Sequence, residues 1–287
     1  MTVRLMLMEK PDIPIEAEVI RPDAFAGRTI TEIEQLPVYQ GNRTYPLSEF
    51  FEVRGRAGAH LTDTAIEIEG DLRNVKMIGR GMTGGRIVIH GDVGMYLGAE
   101  MRGGRIRVMG SVGSWAAAEM RGGNIQIEGN AGDYLCAGLR GSIEGMKGGR
   151  VYVAGDAGRE MASHMRKGFI AVRGDVGELA AARMQGGTII VCGEMGPRAG
   201  VEAVRGMMIV LGRLGSVLPT FRYSGTAERE FVGYYLRYLT SRRPDFLELP
   251  NPSAKWIKLQ GDFAEDHPYA EIYAWAEDNE HLVTMED

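Results

Sequence analysis

Basic side chains recur through the middle of the sequence at nearly constant spacing, and they are the residues that most clearly point to a binding chemistry. One set directly follows a methionine, and a second set directly follows the glycines that come next. We call the following seven residues the basic stripe: Arg86, Arg102, Arg105, Arg121, Lys147, Arg150 and Arg166. Arginine grips carboxylates through two parallel hydrogen bonds. The basic stripe is therefore predicted to contact an acidic partner surface or an anionic ligand.

The neighbouring carboxylates offer a simpler interpretation of the same pattern. Met101 is predicted to point inward, so Glu100 and Arg102 on either side of it should point outward. Glu119 and Arg121 repeat this arrangement. The basic stripe would then be a ladder of exposed ion pairs, each contributing about 0–1 kcal/mol, with no binding role.

Residue types that bind metals or perform nucleophilic catalysis are few and scattered. The five histidines show no metal-binding spacing; they are His60, His90, His164, His267 and His281. Cys136 and Cys192 are too few to build an iron–sulfur or structural zinc site. The sequence contains no serine nucleophile elbow, Walker loop or strand–GxGxxG–helix unit. We therefore expect no catalytic residue, metal or cofactor site in this chain.

The basic stripe depends on an internal repeat that also predicts the fold. A short strand of alternating apolar residues ends in glycine, a loop follows, and Met-x-Gly-Gly leads into the next strand. The strand-end glycines are at positions 91, 110, 129, 155, 174, 193 and 212, so all steps are 19 residues except one of 26. A fixed period of this size is typical of a solenoid.

The repeat is too short for a β-strand, a crossover helix and a return strand. It predicts an all-β fold, a parallel β-helix with coils of about 19 residues in which each strand pairs with its equivalent one coil away. The methionines before the glycine pairs should stack inside the coil, and the glycines should supply positive φ or close backbone approach at the corners. The 26-residue step places seven extra residues around 136–145, on the surface.

The repeat also divides the chain into three parts. Residues 1–48 are predicted to be an N-terminal arm, with one short helix near Thr29, where the spacing to Glu32 fits a capping box. Residues 49–216 are the β-helix. Residues 217–287 form an aromatic extension that caps the last coil or docks another subunit, with a further strand over 257–262.

Composition limits the classes of function that the chain can have and indicates the cellular compartment. The formal net charge of −5 argues against general nucleic-acid binding. Two cysteines suggest a reducing environment. The first residues are too short in their apolar part for a signal peptide, and no stretch has the length of a membrane span. We expect a cytoplasmic protein.

Several segments resemble the subunit designated C in archaeal formylmethanofuran dehydrogenase. Three of them are repeat loops, Gly-Asp-Val-Gly-Met-Tyr-Leu-Gly-Ala at 91–99, Gly-Ser-Val-Gly-Ser-Trp-Ala at 110–116 and Gly-Asn-Ala-Gly-Asp-Tyr at 129–134. Four others lie outside the regular repeat, at 21–27, 49–55, 145–149 and 218–223. The resemblance runs from about residue 10 to about 225, and beyond that it is loose, chiefly at 258–262. The solenoid is also distantly similar to the glycine-rich domain of the glutamate synthase large subunit, which implies a right-handed β-helix.

The resemblance implies a function at the level of a complex. In that family, CO2 is reduced at a molybdenum or tungsten pterin centre, and the formate condenses with methanofuran at a dinuclear metal site in an amidohydrolase-like subunit. This is the first step of methanogenesis from CO2. The pterin centre, the iron–sulfur clusters and the dinuclear site belong to other subunits, so the resemblance implies a non-catalytic subunit that holds them in register. Methanofuran carries glutamate-derived carboxylates, which makes its tail a candidate ligand of the basic stripe.

Two other functions stay open at this point. A bacterial relative belongs to a formyltransferase/hydrolase complex, which uses related subunits without the reduction of CO2. Alternatively, the chain is an autonomous binding protein or enzyme built on a β-helix. A carbohydrate-active solenoid would be expected to carry paired carboxylates on one exposed face, and the sequence shows no such pair.

Overall fold

The computed structural model describes residues 1–251 and 253–283. The helices are α1 (Pro22–Phe25), α2 (Ile30–Glu34) and α3 (Glu230–Arg242), with 3-10 turns at Leu47–Glu49, Leu61–Asp63, Ala276–Asp278 and Glu280–Leu282. The strands are β1 (Thr2–Leu7), β2 (Ile15–Glu16), β3 (Pro37–Gln40), β4 (Arg43–Pro46), β5 (Phe51–Gly55), β6 (Ala65–Glu69), β7 (Val75–Lys76), β8 (Arg86–His90), β9 (Arg105–Val108), β10 (Asn124–Ile127), β11 (Arg150–Val153), β12 (Phe169–Val172), β13 (Gln185–Val191), β14 (Arg205–Val210), β15 (Arg222–Glu228), β16 (Lys255–Gly261) and β17 (Tyr269–Trp275).

Most of these strands belong to one large sheet. In the described part of the chain it has thirteen strands, in the order β15-β16-β17-β14-β13-β12-β11-β10-β9-β8-β6-β1-β5. The strands from β8 to β14 pair in parallel with their equivalents, so that Ile87 lies opposite Ile106 and Ile106 opposite Ile125. β5, β15 and β16 pair in antiparallel fashion at the two ends. The predicted all-β class is confirmed, with a large and mostly parallel sheet.

Successive repeats also touch at a second point, in the loop after each strand. Parallel bridges connect Val93 to Val112 and Val112 to Ala131, and they continue through Met195 to Leu214. The loop residues therefore keep the same one-repeat offset as the strands. Each repeat supports its neighbours both at the strand and at the loop.

The space between the strands and these loops is filled by apolar side chains. The strand residues Ile87, Ile106 and Ile125 face it, and so does the methionine column. Every member of the column is fully buried, at Met82, Met101, Met120, Met146, Met165 and Met184, and Ala203 continues it. The predicted burial of these methionines in the interior is confirmed. Methionine suits this position because its flexible side chain fills irregular gaps.

The two glycines have different roles at the corners 103–104 and 122–123. Gly104 and Gly123 adopt left-handed φ values of 85° and 94°, which a Cβ disfavours. Their neighbours Gly103 and Gly122 are needed for close approach instead. A Cβ at these positions would lie 2.2 Å from the carbonyl oxygen of Thr83 and 2.4 Å from that of Arg102. Close approach and positive φ are thus both required, at adjacent residues.

The N-terminal segment is more ordered than the predicted arm. The short helix is present as α2, and its capping box is complete: Glu32 N donates to Thr29 Oγ1 at 3.3 Å, and Thr29 N donates to Glu32 Oε2 at 2.8 Å. However, β1 lies inside the large sheet, between β5 and β6. The alternating burial of Val3, Leu5 and Leu7 explains this placement. β4, β3, β2 and β7 form a smaller sheet.

The C-terminal extension both lengthens the large sheet and closes its end. β17 pairs in parallel with β14, and β16, which contains most of the predicted strand over 257–262, pairs with β17. The buried Asn279 accepts a hydrogen bond from Leu214 N at 2.7 Å and donates to the carbonyl oxygen of Gly212 at 3.0 Å. It therefore satisfies backbone groups of the last repeat. Residues 252 and 284–287 of the predicted extension 217–287 lie outside the described residues.

Among residues 1–251 and 253–283, no helix combines the length and the apolar character that crossing a membrane requires.

Candidate functional site: two basic surfaces

The outer face of the large sheet has a covered half and an open half. Helix α3 packs through Val232, Leu236 and Leu239 onto outward-facing apolar residues of β11 to β14, such as Ile190 and Ile209. On β8 to β10 most outward-facing residues are polar or charged instead, with Val88 as an apolar exception, and the apolar cluster under α3 does not include them. The boundary between the halves coincides with the C-terminal end of α3.

A groove of about 610 Å³ lies at this boundary. Three members of the basic stripe line it: Arg86, Arg105 and Arg150. Arg242, from the end of α3, and Tyr152, from β11, close it on the helix side. Burial raises the pKa of Tyr152 above its ordinary value, so the hydroxyl remains a hydrogen-bond donor throughout the physiological range.

The three stripe residues of the groove are brought together by the strand register. Arg86 lies opposite Arg105, and Asn124 lies opposite both Arg105 and Arg150. Adjacent strands are about 4.8 Å apart, so the guanidinium groups lie close together at the N-terminal ends of these strands. None of the ion pairs within the described residues includes Arg86, Arg105 or Arg150. The groove is therefore a concentration of uncompensated positive charge.

The helix side of the groove is held in place by an ion network centred on the buried Arg243. Arg243 Nη2 donates to Glu128 Oε2 at 2.8 Å and to Asp245 Oδ2 at 2.7 Å. Glu128 also accepts from Arg107 Nε at 3.0 Å. Because Glu128 directly follows β10, this network ties the end of α3 to the open half of the sheet.

The remaining members of the basic stripe form a separate column beside the methionines. They are Arg102, Arg121, Lys147 and Arg166. Lys147 and Arg166 both pair with Glu144, in the 26-residue step. In the described chain, Arg102 and Arg121 have no ion-pair partner.

The two carboxylates that were expected to neutralise this column are engaged elsewhere. Glu100 Oε2 accepts from Arg80 Nε at 2.7 Å. Glu119 Oε1 accepts from the backbone N–H of Leu139 at 3.3 Å. The ladder interpretation is therefore wrong for Arg102 and Arg121, whose guanidinium groups are exposed and available for a contact from outside the chain.

The cysteines and histidines do not converge on a site. Cys136 is part of the inner core, whereas Cys192 packs against the cluster under α3. Burial raises the pKa of the Cys192 thiol to about 12 and that of Cys136 further, so neither forms a reactive thiolate at neutral pH. Within the described ranges, no group of three or more His, Cys, Asp or Glu residues is arranged to hold a metal ion.

Sequence reasoning missed Arg242, Arg243 and Tyr152. Arg242 and Arg243 lie outside the columns that the repeat predicts, and Tyr152 carries no charge at neutral pH. A signal was nevertheless present. The pair Arg242-Arg243 ends a segment with buried residues at 232, 236 and 239, the spacing of an amphipathic helix. A basic pair at the end of such a helix could have been identified as a further set of positive charges that packs beside the basic stripe.

Comparisons with known proteins agree with the resemblance seen in the sequence. No family model matches the chain. Relatives with matching segments include subunits designated C of formylmethanofuran dehydrogenases. A segment of 86 residues is 51% identical to that subunit of the molybdenum-containing formylmethanofuran dehydrogenase 1 of Methanosarcina barkeri, covering 30% of this chain and 29% of that protein. A segment of 91 residues is 45% identical to that subunit of the tungsten-containing formylmethanofuran dehydrogenase 2 of Methanothermobacter thermautotrophicus, covering 32% of this chain and 34% of that protein. The matches thus span about a third of these relatives.

A solved structure extends the likeness to nearly the whole chain. It is one chain of the formyltransferase/hydrolase complex from Methylorubrum extorquens, determined in complex with methylofuran. The two chains superpose with a TM-score of 0.85 at 30% identity, over 95% of this chain and 99% of that one. The segment matches indicate which subunit the chain resembles, and the structural match shows that the likeness includes the flanks. The chain belongs to the family of the formylmethanofuran dehydrogenase subunit designated C.

Proposed function

We propose that the chain is a non-catalytic structural subunit of formylmethanofuran dehydrogenase, the complex that reduces CO2 and fixes it on methanofuran. Its role is to hold the pterin-metal subunits and the amidohydrolase-like subunit in register. The observation that carries this proposal is the structural match over 95% of the chain to one chain of a multi-subunit complex. The 51% identity to a dehydrogenase subunit over 86 residues favours the dehydrogenase as that complex.

The fold suits such a role if the repeats form a right-handed parallel β-helix. Each repeat carries one strand of the large sheet and one bridged loop residue, in constant register. Connections between parallel strands of one sheet are right-handed in about 98% of cases. A right-handed solenoid is a rigid rod, and a rigid rod with surfaces on several sides can position neighbouring subunits.

The basic stripe is the surface through which we propose the chain makes these contacts. Five of its members have no ion-pair partner among the described residues. They present positive charge in two places, the groove and the column beside the methionines. Both suit acidic counterparts, since guanidinium groups bind carboxylates in bidentate fashion. The counterparts are acidic faces of the neighbouring subunits or the glutamate-derived carboxylates of the methanofuran tail.

The cofactors belong to the complex in this proposal. The relatives are named as molybdenum- and tungsten-containing enzymes, which supports a pterin-bound metal at the level of the complex. Two observations on the described residues support this placement: Cys136 and Cys192 lie in separate apolar clusters, and no group of three or more His, Cys, Asp or Glu residues is arranged to hold a metal ion. We place the pterin-bound metal, the iron–sulfur clusters and the dinuclear centre in the other subunits and the complex in the cytoplasm.

The formyltransferase/hydrolase complex is the second candidate, and a specific observation favours it. The match to a chain of that complex covers 95% of this chain, whereas the segment matches to these dehydrogenases cover about a third of it. In this alternative the chain performs the same scaffolding without any reduction of CO2. An autonomous β-helix binding protein is a third candidate.

Purification from the source organism tests all three. We expect a tagged chain to bring down stoichiometric larger subunits together with molybdenum or tungsten, measured by elemental analysis, and CO2-dependent formation of formylmethanofuran. A stoichiometric complex without either metal would favour the formyltransferase/hydrolase alternative. A chain that purifies alone would contradict the scaffold role, and CO2-dependent turnover by the isolated chain would contradict its non-catalytic character.

A further inference from the structure

The 26-residue step contains a loop that is ordered although it lies outside the repeat. We call residues 138–145 the insertion loop. Its two ends are tied to the following repeat, since Gly138 N donates to the carbonyl oxygen of Ser163 at 3.2 Å and Gly145 N donates to that of His164 at 2.8 Å. Within the loop, Ser142 N donates to the carbonyl oxygen of Leu139 at 2.8 Å. The insertion loop is therefore a defined projection.

An isoleucine stands at the tip of this projection. Ile143 is 67% exposed, the highest value among the exposed large apolar residues of the described chain. Ionic contacts fix the loop on both sides of it. Glu144 pairs with Lys147 and Arg166, and the Arg140 guanidinium lies 5.3 Å from the centre of the Trp115 ring. Because the loop is already ordered, little conformational entropy is lost when Ile143 enters a pocket.

The insertion loop adjoins the unpaired part of the basic stripe. Arg121 N donates to the carbonyl oxygen of Met101, and Lys147 N donates to that of Met120, so Lys147 occupies the position equivalent to Arg121 one repeat later. The loop also touches the preceding repeat through Leu139 and Glu119. The Lys147 ammonium, with smaller contributions from Arg166 and Arg121, lowers the pKa of Glu144. An apolar tip and two uncompensated guanidinium groups thus share one side of the molecule.

We propose that the insertion loop, Arg102 and Arg121 together form a docking surface for a partner protein that offers an apolar pocket ringed by carboxylates. Ile143 fills the pocket, and the two arginines bind the acidic rim. This is the general anatomy of a protein interface, with an apolar centre and a polar edge. A small anion would use the arginines but not the isoleucine. The proposal rests on the assembly role proposed above and assigns it to particular residues.

The test uses the complex purified through the tagged chain, with Ile143→Asp as the variant. Ile13→Asp is the matched control, because Ile13 is 61% exposed but lies in the N-terminal segment, between β1 and β2. We expect Ile143→Asp to weaken binding of at least one identified and purified subunit about tenfold or more, as substitution of a central anchor does. Ile13→Asp should leave that affinity unchanged, and both variants should keep the parent melting temperature. An Ile143→Asp chain that binds every subunit like the parent would overturn the proposal.

A second variant and a cross-linking experiment test whether the two arginines bind the acidic rim of the partner's pocket. Arg102→Glu combined with Arg121→Glu should weaken the same subunit, with a larger loss at low salt. A photoreactive residue at position 143 should cross-link to an acidic segment of that subunit, whereas one at position 13 should not. Cross-links to a basic or uncharged segment, or binding to anionic lipid vesicles that is lost in the same variants, would contradict the docking surface. If the unmodified chain brings down no subunit, the proposed function itself fails; a complex that survives both variants overturns only this surface.

Discussion

The two halves of the sheet's outer face have the same backbone and the same interior but opposite surfaces. Under α3 the outward positions hold apolar residues such as Ala171, Ile190 and Ile209. On the open half the outward positions include Arg107 and Gln126. The inward positions stay apolar and buried through both halves, for example at Ile106, Ile125, Ile170 and Ile189. The repeat therefore specifies the interior, and the residues that alternate with it decide what the outer face receives.

The covered half shows what happens when the outward residues become apolar. The apolar surface of α3 is complementary to it, with Val232, Leu236 and Leu239 on one side of the helix and almost fully buried. Aromatic contacts extend the packing, with the Phe169 and Tyr238 rings 5.3 Å apart and the Phe231 and Tyr273 rings 5.0 Å apart. The chain's own extension therefore occupies this half, whereas the open half is the one for which we propose an external partner or ligand.

The largest expected effect comes from emptying the covered half. Leu236→Ala removes a fully buried side chain between helix and sheet, so we expect it to lower the free energy of unfolding by about 2–5 kcal/mol. Met109→Ala on the open half removes a side chain that is 46% exposed, and the expected change is within about 0.5 kcal/mol. Urea unfolding of both variants measures the contrast. Equal losses would mean that the two halves do not differ as described.

Much of the interior was predictable because it is periodic. The 19-residue step predicted which strands pair, and it placed Met82, Met101 and Met120 in one buried column. Periodicity works here because each repeat contacts its neighbours in the same way, so a local pattern determines contacts between residues distant in sequence. The capping box at Thr29 was also predictable, since its hydrogen bonds connect residues only three positions apart.

The division of the basic stripe could not be predicted in this way. Charge and spacing treat Arg102 and Arg105 alike, but only Arg105 lines the groove with Arg242. That difference depends on where α3 lies, and Arg243 reaches Glu128 across 115 positions of sequence. Likewise, Glu100 lies next to Arg102 in the repeat but pairs with Arg80. Contacts that are not periodic require the tertiary structure.

A corner substitution tests whether the interior is really common to both halves. Gly122→Val should destabilise the fold by about 1–3 kcal/mol, because its Cβ would lie 2.4 Å from the carbonyl oxygen of Arg102. Gly148→Val, one repeat nearer to the helix, should cost a similar amount, since its Cβ would lie 2.6 Å from that of Arg121. Thermal unfolding measures both. An unchanged melting curve for Gly122→Val would show that the corner tolerates a branched side chain.

Arg243→Met should loosen the boundary between the halves. The substitution keeps most of the apolar stem but removes the hydrogen bonds to Glu128 and Asp245. Hydrogen bonds to charged groups contribute about 1.5–3 kcal/mol when buried. Asp245 is half exposed, so we expect a smaller total loss of about 1–2 kcal/mol. Hydrogen exchange should show faster opening of α3 with little change in β8 and β9. Uniform acceleration across the whole sheet would contradict a local boundary role.

The smallest expected effect is the pH dependence of the stability that the Arg243–Asp245 pair contributes at the same boundary. The hydrogen bonds from Arg243 lower the pKa of Asp245 below its ordinary value, which is about 3.9 in an unfolded chain. A depressed folded pKa means that the pair stabilises the protein above that unfolded value, and that the contribution disappears as pH falls through the folded pKa. The difference in unfolding free energy between the parent and Asp245→Asn should therefore be constant from about pH 8 to pH 5 and should shrink below about pH 4. Because this carboxylate is so exposed, we expect the difference to be no more than about 1 kcal/mol. Urea unfolding across this range measures it, with Asp266→Asn, on a carboxylate outside this network, as the matched control. A difference that persists unchanged to pH 3 would mean that Asp245 does not act through its charge, and that Glu128 alone holds the end of α3 to the open half.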